Sequence, residues 1–163
     1  MDWQPWLVFA HILGAFTFVL AHGVNVFVAL RVRSEADPTR VTALLDLSKS
    51  AVAIAAIAVA FLLLTGIAAG FAGDYWGQRW IWVSLAILIL LWGYMSFRGT
   101  MYHDAVRHAV GSLGVYDHKA TEPPPADPAA LAALQASPRA LELATVGGIG
   151  LVVILWLMVF KPF

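Results

Sequence analysis

The chain has 163 residues, 61% of them hydrophobic and 12% charged, with a formal net charge of zero and no cysteine. A soluble domain carries about 25% charged residues, so this is not the composition of an ordinary soluble protein. The charge balance offers no footprint for nucleic acid, and the missing cysteines exclude disulfides, thiolate metal sites and thiol nucleophiles.

The length suits a single domain, residues 1–163. No Lys or Arg precedes the first apolar run in MDWQPW. A signal peptide needs a positive segment there, so the first helix is expected to be retained.

That first run, Trp6–Leu30, is long enough for the roughly 20 apolar residues that cross a bilayer as helix. It nevertheless holds His11, His22 and Asn25. At about 100° per residue, His22 lies about 20° from His11 and Asn25 about 40° to the other side. Gly14 and Ala15 flank this line, while Phe9, Leu13, Phe16, Leu20, Val24 and Phe27 fall opposite. Helix one therefore has a bulky side suited to lipid and a small, polar side that must face protein or a cavity. The two histidines share that side about 16 Å apart along the axis.

The next runs are Ser50–Ala72, Trp80–Phe97 and Leu141–Phe160. A lipid-embedded backbone must satisfy its own polar groups, so each is expected to be helical. The only Asp, Glu, Lys or Arg in the four runs is Glu142, at the start of the last. The connection AGDYWGQ between the second and third runs is little more than a turn, which predicts that these two helices pack as neighbours. Asp37-Pro38, Asp127-Pro128 and Ser137-Pro138 each read as an N-cap followed by proline at the first helical position.

The first of these pairs starts helix two well before the membrane, with Val41, Leu44, Leu45 and Ser48 on one face. Helix three is expected to continue through MYHDAVRHAV until Gly111 and Gly114 end it. TEPPPADP reads as an extended connector, and PAALAALQA as a short helix. In HDAVRH, His103 and His108 are badly spaced for a shared zinc, whereas Asp104 is well placed for a local ion pair with Arg107 or His108.

Orientation follows from the basic residues. Arg31, Arg33, Arg40, Lys49, Arg98, Arg107, Lys119 and Arg139 fall in or beside the loops 31–49 and 98–140, against only Arg79 and Lys161 on the other side. The positive-inside rule then puts both loops in the cytoplasm and both termini outside. Trp3, Trp6, Tyr75, Trp76 and Trp80 fall at that outer level, as an aromatic belt does. The expected fold is all-α, an antiparallel bundle of four transmembrane helices.

Small residues recur at helix-packing spacing in Gly66–Gly70 and at Ala144 and Gly148; with Gly14 and Asn25 they are candidate contacts within the bundle or with a partner subunit. His11 and His22 are candidate cofactor ligands. A bis-histidine haem needs a second histidine facing each, and no other span contains one, which leaves a haem held by a single histidine or one shared across a dimer. The alternative is that each histidine hydrogen-bonds across a helix interface, with Thr65, Ser84, Tyr94, Ser96 or Thr145 as partner. A proton or ion path along the stripe is a third reading. No set of residues reads as a catalytic constellation.

The run FAHILGAFTFVLAHGVNVFVALRVR, with His11, Ile12, Leu13, Gly14, Phe16, Phe18 and Arg31, resembles the first helix of small bacterial four-helix membrane proteins. LLTGIAAGF followed by WIWVSLAILIL is similar to the same family, a set of predicted integral membrane proteins of unknown function. More distantly the chain resembles the copper-resistance-D and membrane protoporphyrinogen-oxidase type. That resemblance implies a multi-pass protein of the bacterial cytoplasmic membrane, with His11 as candidate ligand of haem b or a metal.

Three functions are expected in turn. The first is a non-catalytic structural or accessory subunit, partnered by the lipid bilayer and by other membrane subunits or itself. The second is a haem- or metal-binding protein, and the third a small transporter.

Overall fold

The computed structural model describes residues 2–117 and 122–163. Lys119 and Thr121, which figure in the loop readings above, lie outside the described residues, as do Met1, His118 and Ala120. The described residues form helices α1 (Gln4–Val32), α2 (Pro38–Ala72), α3 (Arg79–Ala109), α4 (Pro128–Ala136) and α5 (Arg139–Phe160), and no strand. Four helical stretches, the last being α4 and α5 together, are long and apolar enough to cross a membrane.

Local chemistry sets most of the helix ends. The Asp37 carboxylate accepts the Thr39 N–H at 2.9 Å, and Asp127 accepts those of Ala129 and Ala130 at 3.0 Å. Each cap satisfies amides that the first turn leaves unbonded, with Pro38 and Pro128 next in line. The third pair behaves differently. Ser137 donates its hydroxyl to the Leu134 carbonyl at 2.7 Å, closing α4, and α5 starts at Arg139 without a side-chain cap. With only two residues between the helices, one hydroxyl can serve only one end. α3 ends where Gly111 adopts φ +73°, while Ser112 N–H returns to Arg107 O and Gly111 N–H to His108 O. This is the αL termination that glycine permits without a Cβ penalty.

Packing departs from the expected hairpin. α2 runs along α1, and α3 runs along α5; α2 and α3 touch little despite their short connection. Side-chain volume is the reason. The α1–α2 seam is lined by Gly14, Ala21 and Ala29 on one helix and by Ala51, Ala55, Ala58 and Ala69 on the other, all buried. Small residues let two backbones close on each other. α3 carries Trp80, Trp82, Leu85, Leu88, Leu91 and Trp92 in the corresponding stretch. The α1–α2 pair is fixed in register by Asn25 against Ser48, Gly14 against Leu62 and His11 against Gly66.

Three segments meet at the ends farthest from the long loops. Gln4 Nε2 donates to the Tyr75 hydroxyl at 2.7 Å. Lys161 places its Nζ 5.0 Å from the Tyr75 ring centre and 5.5 Å from that of Trp80.

The best-packed region lies at the opposite end, around residues 28–45, 102–109 and 131–143. Val28, Val32, Val41, Leu45, Tyr102, Val106, Leu131, Ala140 and Leu143 form one buried cluster drawn from all five helices. Polar ties hold its rim. Gln135 Nε2 donates to the Val32 and Glu35 carbonyls at 2.8 and 2.7 Å, and Asp127 N–H donates to Ala109 O at 2.9 Å.

Arg107, buried, reaches across to Asp46 of α2 at 2.9 Å. Asp104 accepts from Val115 N–H at 2.8 Å, and His108 meets Asp117 at 2.6 Å. The local Asp104 pairing expected within HDAVRH is therefore replaced by longer-range contacts. α3 buries the Asp104 and Arg107 positions against neighbouring segments, which supply closer partners.

Elsewhere the helices are thinly covered. Phe9, Leu13, Phe16, Leu20 and Phe27 of α1 are exposed, as the two-sided reading of that helix requires. Val24 departs from it, packing partly buried against the edge of the large cluster.

Candidate functional site

The polar side of α1 is met at three levels. At the first, His11 Nδ1 donates to the Leu62 carbonyl at 2.9 Å. A carbonyl can only accept, so Nδ1 carries a proton. The ring lies against Gly66, where an ideal Cβ would stand 2.9 Å from His11 Cε1. The first glycine of GIAAG is thus a notch for an imidazole. The second, Gly70, receives the Trp76 indole, with 3.0 Å from an ideal Cβ to the ring. Gly14, one turn along from His11, abuts Phe61 and the Leu62 backbone.

At the second level, His22 stacks on Phe18, ring centres 6.1 Å apart, and Phe18 in turn meets Trp92 of α3 at 6.3 Å. His22 Nε2 points at α5, where an ideal Cβ on Gly147 would lie 2.6 Å away; the Met95 methyl borders the same spot at 3.4 Å. That Nε2 is buried and has no hydrogen-bond partner. At the third level, the buried Ser48 donates its hydroxyl to Asn25 Oδ1 at 2.6 Å, while Asn25 Nδ2 donates to Ala21 O at 3.2 Å.

Ser48→Ala is expected to lower stability in detergent by about 1 kcal/mol, the usual size of an interhelical hydrogen bond in a membrane protein. Because the two residues act as a pair, Asn25→Ala added to Ser48→Ala should cost less than the sum of the single changes. Unfolding curves of the four variants in one detergent measure this coupling.

The hydroxyls expected to serve the histidines are mostly committed elsewhere. Thr65 donates to Phe61 O at 2.8 Å and Ser84 to Trp80 O at 2.7 Å, each back to its own helix. Such back-bonding satisfies a hydroxyl without any neighbour. Ser96 and Thr145 are exposed. Tyr94 donates to Glu142 Oε1, where Arg98 also arrives at 3.4 Å. The sequence does flag this last site, since Glu142 is the one carboxylate inside an apolar run.

The small pair on α5 is likewise shifted. Gly148 is exposed, with nothing among the described residues within 4 Å of an ideal Cβ, and Ala144 is half-buried. The contact falls on Gly147, one residue earlier and about 100° around the helix. Spacing alone does not choose between adjacent glycines in TVGGIG.

An axial haem ligand needs open space in front of Nε2, and at His22 that side is bordered by α5 at Gly147. Among the described residues His11 has no second histidine at its level, because His103 and His108 lie at the far end of α3. Leu62, Ser48 and Gly147 stand against the polar stripe from α2 and α5. No family model, curated protein or solved structure matches the chain.

Proposed function

We propose that this protein is a non-catalytic multi-pass subunit of the bacterial cytoplasmic membrane, acting as a structural or accessory component of a larger membrane complex. The observation that carries the reading is the use made of α1. Of His11, His22 and Asn25, the first and last are bonded to α2, and His22 is packed against α5. What remains outward is apolar, with a bare notch at Gly148 on α5. Small residues open to the bilayer suit close approach by another helix.

An antiparallel bundle with both termini outside belongs to the same proposal. It is supported by the contacts of Gln4 and Lys161 with Tyr75, which bring the start of α1, the end of α5 and the α2–α3 turn together. The pairings Asn25–Ser48, Gly14–Leu62 and His11–Gly66 run in opposite chain directions, as antiparallel α1 and α2 require. The excess of basic residues in the loops at the other end supports a cytoplasmic location for that end. Similarity of helix one to small bacterial membrane proteins supports the choice of membrane.

One observation favours a second reading, ligand binding at His22: its buried Nε2 without a partner. Extraction from the native membrane in mild detergent tests the two. An accessory subunit brings a stoichiometric second polypeptide with it, whereas isolation as a lone chain overturns that role.

A further inference from the structure

The inner rim carries two depressions lined by paired arginines, and their charge differs. In the first, Arg31 pairs with Glu35 at 3.0 Å and Arg40 with Asp37 at 3.5 Å, so each arginine has its own carboxylate. In the second, Arg98 and Arg139 line one shallow cleft with Met101, Glu142 and Leu143, between the ends of α3 and α5. Here one carboxylate faces two guanidinium groups.

That carboxylate is already engaged. Glu142 Oε1 accepts the Tyr94 hydroxyl, and Arg98 reaches the same oxygen only at 3.4 Å. Arg139 is exposed and has no hydrogen bond or ion pair among the described residues. The cleft therefore keeps net positive charge and unused N–H donors. Guanidinium forks match phosphate oxygens in geometry. The cleft also sits where apolar α3 and α5 leave their spans, at Arg98 and Glu142, the depth at which lipid phosphates lie.

We infer that this cleft binds the headgroup phosphate of an anionic phospholipid through Arg98 and Arg139, with the exposed Met101 against its upper acyl chain. Glu142 competes with the phosphate for Arg98 and so weakens the site. The inference rests on the membrane placement proposed above, which is tested separately by washing membranes with alkali. A chain released by the wash fails that placement. A chain that stays but shows no lipid preference overturns the cleft alone.

The test uses the full chain in mild detergent, stripped of lipid and offered equal amounts of phosphatidylglycerol and phosphatidylcholine. Bound lipids are counted by native mass spectrometry. Phosphatidylglycerol is expected to be retained preferentially. Arg139→Gln should lower that preference about fivefold, the worth of one basic group near an anionic surface. Arg139 has no hydrogen bond or ion pair among the described residues, so this variant keeps the fold even if Arg98→Gln does not. Glu142→Gln should raise the preference, and Arg31→Gln should leave it unchanged.

An Arg139→Gln protein with undiminished preference overturns the assignment. So does displacement of the lipid by millimolar inorganic phosphate, which would make the cleft a free-phosphate site.

Discussion

Replacing Tyr102 by alanine is expected to cost about 3–5 kcal/mol of stability in detergent, the range for removing a buried aromatic ring. Tyr102 is 1% exposed and stands among Val28, Val32, Val41, Leu45, Val106 and Leu131, where helices from the whole chain converge. Its hydroxyl is buried without a hydrogen-bond partner. Tyr102→Phe should therefore be neutral or stabilising by about 1 kcal/mol, since it removes an unsatisfied polar group and keeps the ring. Unfolding curves of the two variants beside the parent measure both effects. If Tyr102→Phe destabilises as much as Tyr102→Ala, the hydroxyl has a partner and the packing argument for this end is wrong.

The second large effect is expected at Gly147. A Cβ there would lie 2.6 Å from His22 Nε2, inside any normal contact distance. Stacking on Phe18 limits how far the imidazole can turn away. Gly147→Ala should cost about 1–3 kcal/mol, as overpacking of a filled site does. His22→Ala in the same chain should recover most of that loss by vacating the space. Gly148→Ala, one residue on, meets nothing within 4 Å and should be neutral. Thermal unfolding of the three variants gives the comparison. Equal losses at Gly147 and Gly148, or no rescue by His22→Ala, would show that α5 is not rotated as described.

These two sites mark the limit of what the sequence discloses. The apolar runs, the caps at Asp37 and Asp127, the short helix Pro128–Ala136 and the glycine stop after α3 were all legible, because each depends on residues within one turn of each other. The polar side of α1 was legible for the same reason: helical period alone puts His11, His22 and Asn25 on one face. What that face meets was not.

Choosing α1 rather than α3 as the neighbour of α2 depends on how two whole surfaces of small residues fit. A short connection constrains only the ends it joins. The choice of Gly147 over Gly148 depends on helix rotation, which adjacent glycines in TVGGIG leave open. The tie from Arg107 to Asp46 spans 61 positions in the chain. No local pattern predicts it, and the nearer carboxylate at Asp104 pointed the other way.

His11 and Asn25 are thus bonded to α2 and His22 is packed against α5, while the large side chains on the other side of α1 are apolar and exposed. The measurement that tests this most directly is the absorption spectrum and polypeptide composition of the protein extracted in mild detergent from its native membrane. The account predicts no Soret band and a second polypeptide in fixed proportion. A Soret band that disappears in His22→Ala, on a chain purified alone, would contradict it.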